Sequence, residues 1–174
     1  MSESRVHRLH ACADRQIEAL SNVLLDCVEG GASVSFMAPM SREKATAYWR
    51  DIAKSAARGE RVVFGAEDAD GTIVGTVQLV LALPENQPHR GEIAKMLVHR
   101  RARRHGLGAA LLRVAEEHAL AAGRTLLVLD TASGDAERLY ARHGWQRCGV
   151  IPNYALFPDG RPCSTTIYFK SLRD

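Results

Sequence analysis

A short stretch near the middle of the chain combines arginine and glycine in the order Arg103-x-x-Gly106-x-Gly108. It follows an apolar segment that ends at Val98 and precedes a periodic apolar segment that begins at Leu107, so we expect it to join a strand to a helix. The first turn of a helix has backbone N–H groups without partners and the positive end of the helix dipole. Glycines let an anion approach the backbone, and arginines add charge-assisted hydrogen bonds. The pattern therefore predicts a pyrophosphate site.

This stretch is part of a basic cluster, although the net charge of the whole chain is only +3. The cluster consists of Lys95, Arg100, Arg101, Arg103 and Arg104. Charge runs are often plain solvated surface, but a position beside a glycine-rich helix start favours phosphate binding. A nucleic-acid surface would need an extended basic face or interleaved aromatic residues. Only 6% of the residues are aromatic and none lies within the cluster, so we expect no nucleic-acid partner.

Two other phosphate motifs fit less well. The Walker A pattern is absent. A dinucleotide-binding fingerprint would use Gly106 and Gly108 as its first glycines and Asp130 as its acid, but Leu111 occupies the third small position. That fingerprint also normally opens a fold, whereas several predicted elements come before it here.

Two carboxylates at the ends of predicted strands are candidate acid–base residues. Asp130 ends a continuously apolar run, typical of a strand covered on both faces, and Glu92 begins the strand that ends at Val98. An acid at the end of a buried strand is costly unless it is paired, solvated or functional. Asp130 could instead cap the following loop, and Glu92 could form a surface salt bridge. Both alternatives stay open for each residue.

Composition and spacing exclude other chemistries. The cysteines at 12, 27, 148 and 163 show no Cys-x-x-Cys spacing, and no His-Glu-x-x-His or Gly-x-Ser-x-Gly motif occurs, so we expect no metal site and no hydrolase elbow. We expect the cysteines to be small buried residues. The chain has no apolar run of transmembrane length and no signal-type start, which favours a cytoplasmic protein without a membrane partner.

The periodicity predicts one α/β domain over residues 1–174. The predicted helices cover 14–28, the stretch from a cap at Ser41 to Gly59, 106–122 and 135–143. The predicted strands cover 61–66, 72–83, 92–98, 125–130, 145–150 and 164–169, with a loop at 151–162. A helix between two strands predicts parallel pairing around it, so the sheet should be mixed.

The strand, loop, helix and strand around Arg103 resemble the acetyl-CoA loop of the GNAT acetyltransferase superfamily, Gln/Arg-x-x-Gly-x-Gly/Ala. A second motif lies about thirty residues downstream, where residues 136–145, AERLYARHGW, resemble the superfamily's Ala-x-x-Leu-Tyr-x-x-x-Gly-Phe with Trp145 in place of Phe. Because both motifs occur in order, the chain is identified as a member of this superfamily. One departure is Ser133, where many members have Asn.

A narrower resemblance extends over most of the chain. Segments 30–38, 92–98, 129–131, 158–161 and 166–170 look like the tabtoxin-resistance acetyltransferases, GNAT enzymes that detoxify a small β-lactam amino acid. The outer segments are not general superfamily motifs, which makes this match more specific. They do not fix the acceptor, because acceptor choice depends on a few pocket residues.

The superfamily resemblance implies a fold and a reaction. The fold is a single domain with a mixed, mostly antiparallel central sheet flanked by helices, and the reaction is direct acetyl transfer from acetyl-CoA to an amine or hydroxyl. Tyr140 matches the tyrosine that protonates the CoA sulfur, although its ring could simply pack on the sheet. A backbone N–H near Leu97 or Val98 would polarise the thioester. The implied acetyl-CoA contacts are Met96, Leu97, Val98, Arg103, Arg104, His105, Gly106, Leu107, Gly108 and Ala109.

Two long connections are expected to wall the acceptor pocket, namely 31–40 and the loop around 153–161, because connections of this length often have a function. Ser33, Phe36 and Tyr154 are the candidate acceptor contacts. Other acceptors on the same scaffold would be a protein, an aminoglycoside or a polyamine, and a non-catalytic acetyl-CoA-binding module is a further alternative. The sequence leaves a monomer and a homodimer open.

Overall fold

A computed structural model describes residues 5–10 and 12–173. Seven strands form one sheet in the order β1-β2-β3-β4-β5-β7-β6. The strands are β1 (Arg5–Arg8), β2 (Arg61–Glu67), β3 (Ile73–Val80), β4 (Arg90–Val98), β5 (Leu126–Thr131), β6 (Gln146–Leu156) and β7 (Pro162–Ser171). The helices are α1 (Asp14–Glu29), α2 (Arg42–Ala57), α3 (Leu107–Ala121) and α4 (Gly134–Arg142). Neighbouring strands are antiparallel except β4 and β5, which confirms the predicted mixed, mostly antiparallel sheet.

The helices build a core on each face of the sheet. On one face α1 and α2 pack around the fully buried Trp49 and Leu24. On the other face α3 and α4 pack around Leu111, Leu127 and Tyr140. Since α1 and α2 contact mainly β2, β3 and β4, their face of β5 and β7 is less covered.

The burial of β5 corrects one expectation. Its continuously apolar sequence predicts a strand covered on both faces, but its residues alternate in burial. Leu127 and Leu129 are buried in the core, whereas Leu126 and Val128 are half-buried and Asp130 is exposed. The more open face of β5 therefore carries Asp130.

The sequence missed one strand and ended another too early. The strand β1 was not predicted, because four residues of mostly polar type give no clear pattern. A loop was predicted from Ile151, but β6 continues to Leu156 through an irregularity around Pro152 and Asn153. Since β6 is an edge strand, a proline there removes no hydrogen bond that the sheet needs.

The helix cap at Ser41 and the burial of the cysteines were two further expectations, with different outcomes. Ser41 caps α2 as predicted, and its Oγ accepts the Lys44 N–H at 3.2 Å. All four cysteines are free; Cys27 and Cys163 are buried, but Cys12 is half-buried and Cys148 is exposed.

The described residues hold no cluster of His, Cys, Asp and Glu suited to a metal ion. None of the described helices is long and apolar enough to cross a membrane.

Glu116 on α3 connects three parts of the fold. Its carboxylate accepts hydrogen bonds from the Trp145 indole at 2.7 Å and the Lys170 ammonium at 2.6 Å. Replacing Glu116 with Ala leaves both donors without this partner, so the free energy of unfolding should fall by about 2 kcal/mol in chemical denaturation. Glu117→Ala, at an exposed neighbouring position, should cost under about 0.5 kcal/mol. Equal losses in the two variants would contradict this role.

Candidate functional site

The parallel strands β4 and β5 separate after a short contact. Their ladder runs only from Arg90 opposite Leu126 to Glu92 opposite Val128. Beyond it β4 stays paired with β3, and β5 with β7, as far as Thr131. The far halves of β4 and β5 therefore line a gap in the sheet, and no described strand pairs with their facing edges there.

A β-bulge in β4 accompanies the separation. The pairs Thr76–Leu97 and Gln78–Ala94 leave two residues, Lys95 and Met96, opposite one residue of β3. Lys95 has a φ of +49°, in the left-handed region that few side chains adopt. Such bulges bend a strand and redirect its side chains, and here the bulge lies beside the gap.

The N-terminus of α3 lies at the end of the loop that follows β4. Gly106 caps this helix with a φ of +78°, and its carbonyl accepts the first intrahelical bond, from Ala110, at 3.1 Å. The backbone N–H groups of the first turn have no partner within the helix and can hold an anion. A Cβ at Gly108 would lie 3.1 Å from Leu139 of α4. The first glycine therefore supplies the backbone conformation, and the second lets α3 approach α4.

Two arginines of the basic cluster are bound to acids of the fold. Arg100 pairs with Asp26 and Glu29 at 2.9 Å each, and Arg101 pairs with Asp68 at 2.8 Å. Burial by itself raises the pKa of Asp26, but hydrogen bonds from the backbone and side chain of Arg100 hold that pKa below its usual value. Arg100 and Arg101 therefore hold the loop against the rest of the fold.

The remaining arginines lie closer to the start of α3. Arg103 donates from Nε to the Val98 carbonyl at 3.0 Å, so its guanidinium crosses the end of β4. Arg104 has a φ of +65°, and both it and His105 are exposed. Within the part of the chain that the structure describes, neither side chain forms a hydrogen bond or ion pair. Arg104 and His105 directly precede Gly106, the N-cap of α3, and are candidates to bind an anion there.

The two candidate carboxylates have different partners. Asp130 accepts a hydrogen bond from the Thr165 hydroxyl at 2.7 Å and is otherwise exposed. Glu92 is bound by the Arg90 guanidinium at 2.8 Å, in a pair with Arg90 mostly buried. Glu92 therefore has the salt bridge that the sequence offered as its alternative role, while the partner of Asp130 within residues 5–10 and 12–173 is a neutral hydroxyl.

Tyr140 is 4% exposed and packs against Trp145 and Tyr168, with ring centroids 5.8 and 5.9 Å away. Its alternative role in packing is therefore real. Burial raises the pKa of the phenol, and the negative charge of Asp130 adds to this shift. The phenol thus stays protonated at neutral pH and lies within electrostatic reach of Asp130, which is compatible with a proton donor.

Lys95 lies apart from the arginines with which the sequence grouped it. Its ammonium donates to the Ser35 hydroxyl at 2.9 Å. Burial lowers the pKa of Lys95, and the charge of Asp130 opposes that shift. Lys95 therefore faces the 31–40 connection and the field of Asp130. Sequence reasoning missed this because strand alternation does not reveal a bulge.

The two connections expected to wall the acceptor pocket are in contact. The Ser33 hydroxyl donates to the Leu156 carbonyl at 2.9 Å, and the Ala38 N–H donates to the Pro158 carbonyl at 3.0 Å. The other two candidate acceptor residues differ in their surroundings. Phe36 packs edge-on against Tyr48 of α2, and Tyr154 is 56% exposed.

The match to a protein-family model decides the family. The model of the acetyltransferase (GNAT) family matches residues 25–145, which include β4, the loop, α3, β5 and α4. The chain belongs to the GNAT family. The match begins within α1 and ends just before β6. It therefore includes β4 and β5, the two strands that line the gap.

Solved structures share the GNAT fold at low sequence identity. An N-acetyltransferase from Staphylococcus aureus Mu50 is 19% identical with a TM-score of 0.81, and the match covers 99% of this chain and 100% of that one. A ribosomal-protein-alanine N-acetyltransferase from Brucella melitensis is 21% identical with a TM-score of 0.79, covering 96% and 99%. A phosphinothricin acetyltransferase from Sinorhizobium meliloti, solved with AcCoA, is 16% identical with a TM-score of 0.80, covering 97% and 88%.

Ser133 is the departure from the usual GNAT pattern. It is the N-cap of α4, and its hydroxyl accepts the Ala136 N–H at 3.4 Å. Asn and Ser are both good N-caps, so the substitution preserves the start of the helix that carries Tyr140.

Gly106 offers a stability test of this GNAT loop. An added Cβ meets nothing within 4 Å, so Gly106→Ala is strained only by the left-handed backbone. We expect a loss of about 1 kcal/mol in the free energy of unfolding, and a smaller loss for Gly106→Asn, since Asn tolerates this conformation. Gly134→Ala, at an open position without a positive φ, is the matched control and should be neutral or stabilising. A neutral Gly106→Ala would contradict the conformational role.

Proposed function

We propose that this chain is an acetyl-CoA-dependent acetyltransferase that moves an acetyl group directly to an amine or hydroxyl of a small molecule. One observation carries the proposal. The β4–β5 ladder ends at Glu92 and Val128, β4 then leads through the glycine loop to the start of α3, and β5 carries Asp130 on its more open face. These features support a site in which an anion-binding helix start, an open strand edge and the candidate base Asp130 act together with Tyr140 as the acid.

Different parts of the segment from β4 to α3 would bind different parts of acetyl-CoA. The first-turn N–H groups of α3, from Leu107 to Ala109, would hold the pyrophosphate, with Arg104 and His105 as charged or polar neighbours. The unpaired edge of β4 from Met96 to Val98 would hold the pantetheine arm as an added strand. When bound, acetyl-CoA supplies an activated acetyl thioester. A backbone N–H of Leu97 or Val98 would polarise its carbonyl.

Asp130 is the general base in this proposal. Glu92 is paired with the Arg90 guanidinium, and a carboxylate that is stabilised by a cation accepts a proton less readily. Among the described residues, the hydrogen-bond partner of Asp130 is the neutral Thr165 hydroxyl, and Asp130 lies on the part of β5 that lines the gap. We propose that it takes a proton from the acceptor through a water molecule. Tyr140 would hold the proton that the CoA thiolate needs when the acceptor replaces sulfur on the acetyl carbon.

The proposed acceptor is a small molecule such as a tabtoxinine-like β-lactam. The segments that resemble the tabtoxin-resistance acetyltransferases support this, since residues 30–38 and 158–161 belong to the two connections in contact. The bonds of Ser33 to Leu156 and of Ala38 to Pro158 hold those two connections to each other. A wall fixed in this way suits a small acceptor better than an extended one.

A thermal-shift screen tests the proposal. A ligand that binds only the folded state raises its stability, by about 2.7 kcal/mol at a hundredfold excess over Kd. We expect acetyl-CoA to raise Tm, and dephospho- and depyrophosphoryl analogues to raise it progressively less. Toxin, aminoglycoside, polyamine and peptide amines are then added to the CoA-bound protein. No shift with acetyl-CoA at millimolar concentration would refute the function.

A further inference from the structure

Lys95 differs from the other lysines of the chain in its surroundings. Lys54 and Lys170 each pair with a carboxylate, and Lys44 lies over an aromatic ring. Lys95 is half-buried, and among residues 5–10 and 12–173 no carboxylate lies within ion-pair distance of it. Its hydrogen-bond partner is the neutral Ser35 hydroxyl at 2.9 Å. Partly burying a cation without an anionic partner is costly. The fold nevertheless places the Lys95 ammonium here with a neutral partner, which leaves it able to bind an anion.

The backbone that presents Lys95 is itself unfavourable. A left-handed conformation costs an L-residue stability, and glycine or asparagine would adopt φ = +49° more easily. The bulge directs the ammonium to Ser35 of the 31–40 connection, on the acceptor side of β4. From there it interacts electrostatically with Asp130 on β5 without forming an ion pair. A cation on one strand and an anion on the other thus flank the gap.

We propose that Lys95, together with Ser35, binds a carboxylate of the acceptor, so that the acceptor carries an anionic group as well as the group that is acetylated. This inference rests on the proposed function. The Ser35 hydroxyl accepts from Lys95 and keeps its own proton to donate to the bound carboxylate. The amine or hydroxyl of the acceptor then lies toward Asp130. Lys95 is thereby a specificity-determining residue.

The test compares matched acceptors that differ only in the carboxylate. The probes are the standard L-amino acids and their carboxamides, titrated by calorimetry into the CoA-bound protein and assayed for acetylation with acetyl-CoA. A charge-assisted hydrogen bond in a half-buried site corresponds to about 10- to 100-fold in affinity. The wild-type protein should therefore bind its preferred acid at least about 10-fold more tightly than the matching amide.

The variants separate the charge from the packing. Lys95→Met should abolish the preference for the acid, through Kd and KM more than through kcat, while Lys95→Arg should keep most of it. Ser35→Ala should reduce the preference partially. Lys54→Met, at an exposed position on α2, is the control and should bind acid and amide as the wild type does.

The outcomes distinguish this inference from the proposed function. Binding with acid preference but without acetyl transfer would support the Lys95 site and refute the acetyltransferase. Acetyl transfer without any acid preference in the wild type would overturn the Lys95 site alone. An equal loss of acid and amide binding in Lys95→Met would also overturn it, as would the absence of binding to any carboxylate probe.

Discussion

Tyr140→Phe should lower kcat about 10²-fold and leave the affinity for acetyl-CoA nearly unchanged. The substitution keeps the ring that packs against Trp145 and Tyr168 and removes only the hydroxyl. The raised pKa of this phenol means that its proton is present throughout the neutral range, as a donor to a leaving thiolate requires. Steady-state kinetics gives kcat, and calorimetry with acetyl-CoA gives the affinity.

The neighbouring Tyr168 supplies the matched control. It lies in the same aromatic cluster, and its hydroxyl donates to Glu137 at 3.0 Å. Tyr168→Phe removes a hydroxyl from the same core, so it should change stability modestly and kcat by less than Tyr140→Phe does. Unchanged turnover in Tyr140→Phe would leave this residue with packing as its role.

Asp130→Asn should lower kcat by about 10²- to 10⁴-fold and remove the acidic limb of the pH–rate profile. A carboxylate acts as a base only when it is deprotonated, so the wild-type rate should fall as the pH is lowered. The amide keeps the shape of the side chain and can still accept from Thr165, which separates the loss of the base from a loss of structure. The measurement is kcat against pH at saturating acceptor.

Glu92→Gln is the comparison for Asp130→Asn. Because Glu92 is bound by Arg90, its substitution should weaken the contact between these two residues at the start of β4. It should leave the acidic limb of the pH–rate profile in place. The opposite result, with the limb lost in Glu92→Gln and kept in Asp130→Asn, would transfer the base role to Glu92. A limb that survives in both variants would exclude both carboxylates.

The strongest sequence patterns predicted the framework of the site. The α3 helix and the glycine loop could be predicted because periodicity and helix starts are local properties, and Gly106 does hold the left-handed cap. The apolar run before Asp130 gave the position of β5, although its alternating burial could not be read from a run of apolar residues. The family follows from two motifs in that same region.

The parts that the sequence did not predict depend on contacts between distant segments. The ion pairs of Arg100 with Asp26 and Glu29 divide the basic cluster, and no local pattern indicates that two of its members are already occupied. The bulge at Lys95 is a property of the pairing between β3 and β4. The continuation of β6 through Pro152 depends on its position at the edge of the sheet.

The most direct test of acetyl transfer is the stoichiometry of the reaction. The purified protein is incubated with acetyl-CoA and a panel of small amines and hydroxyl compounds, and CoA and acetylated products are quantified by mass spectrometry. Direct transfer predicts one acetylated acceptor for each CoA released, with both signals lost in a Tyr140→Phe and Asp130→Asn double variant. Binding of acetyl-CoA with no acetylated product from any acceptor would contradict the account and identify the chain as a non-catalytic binding module.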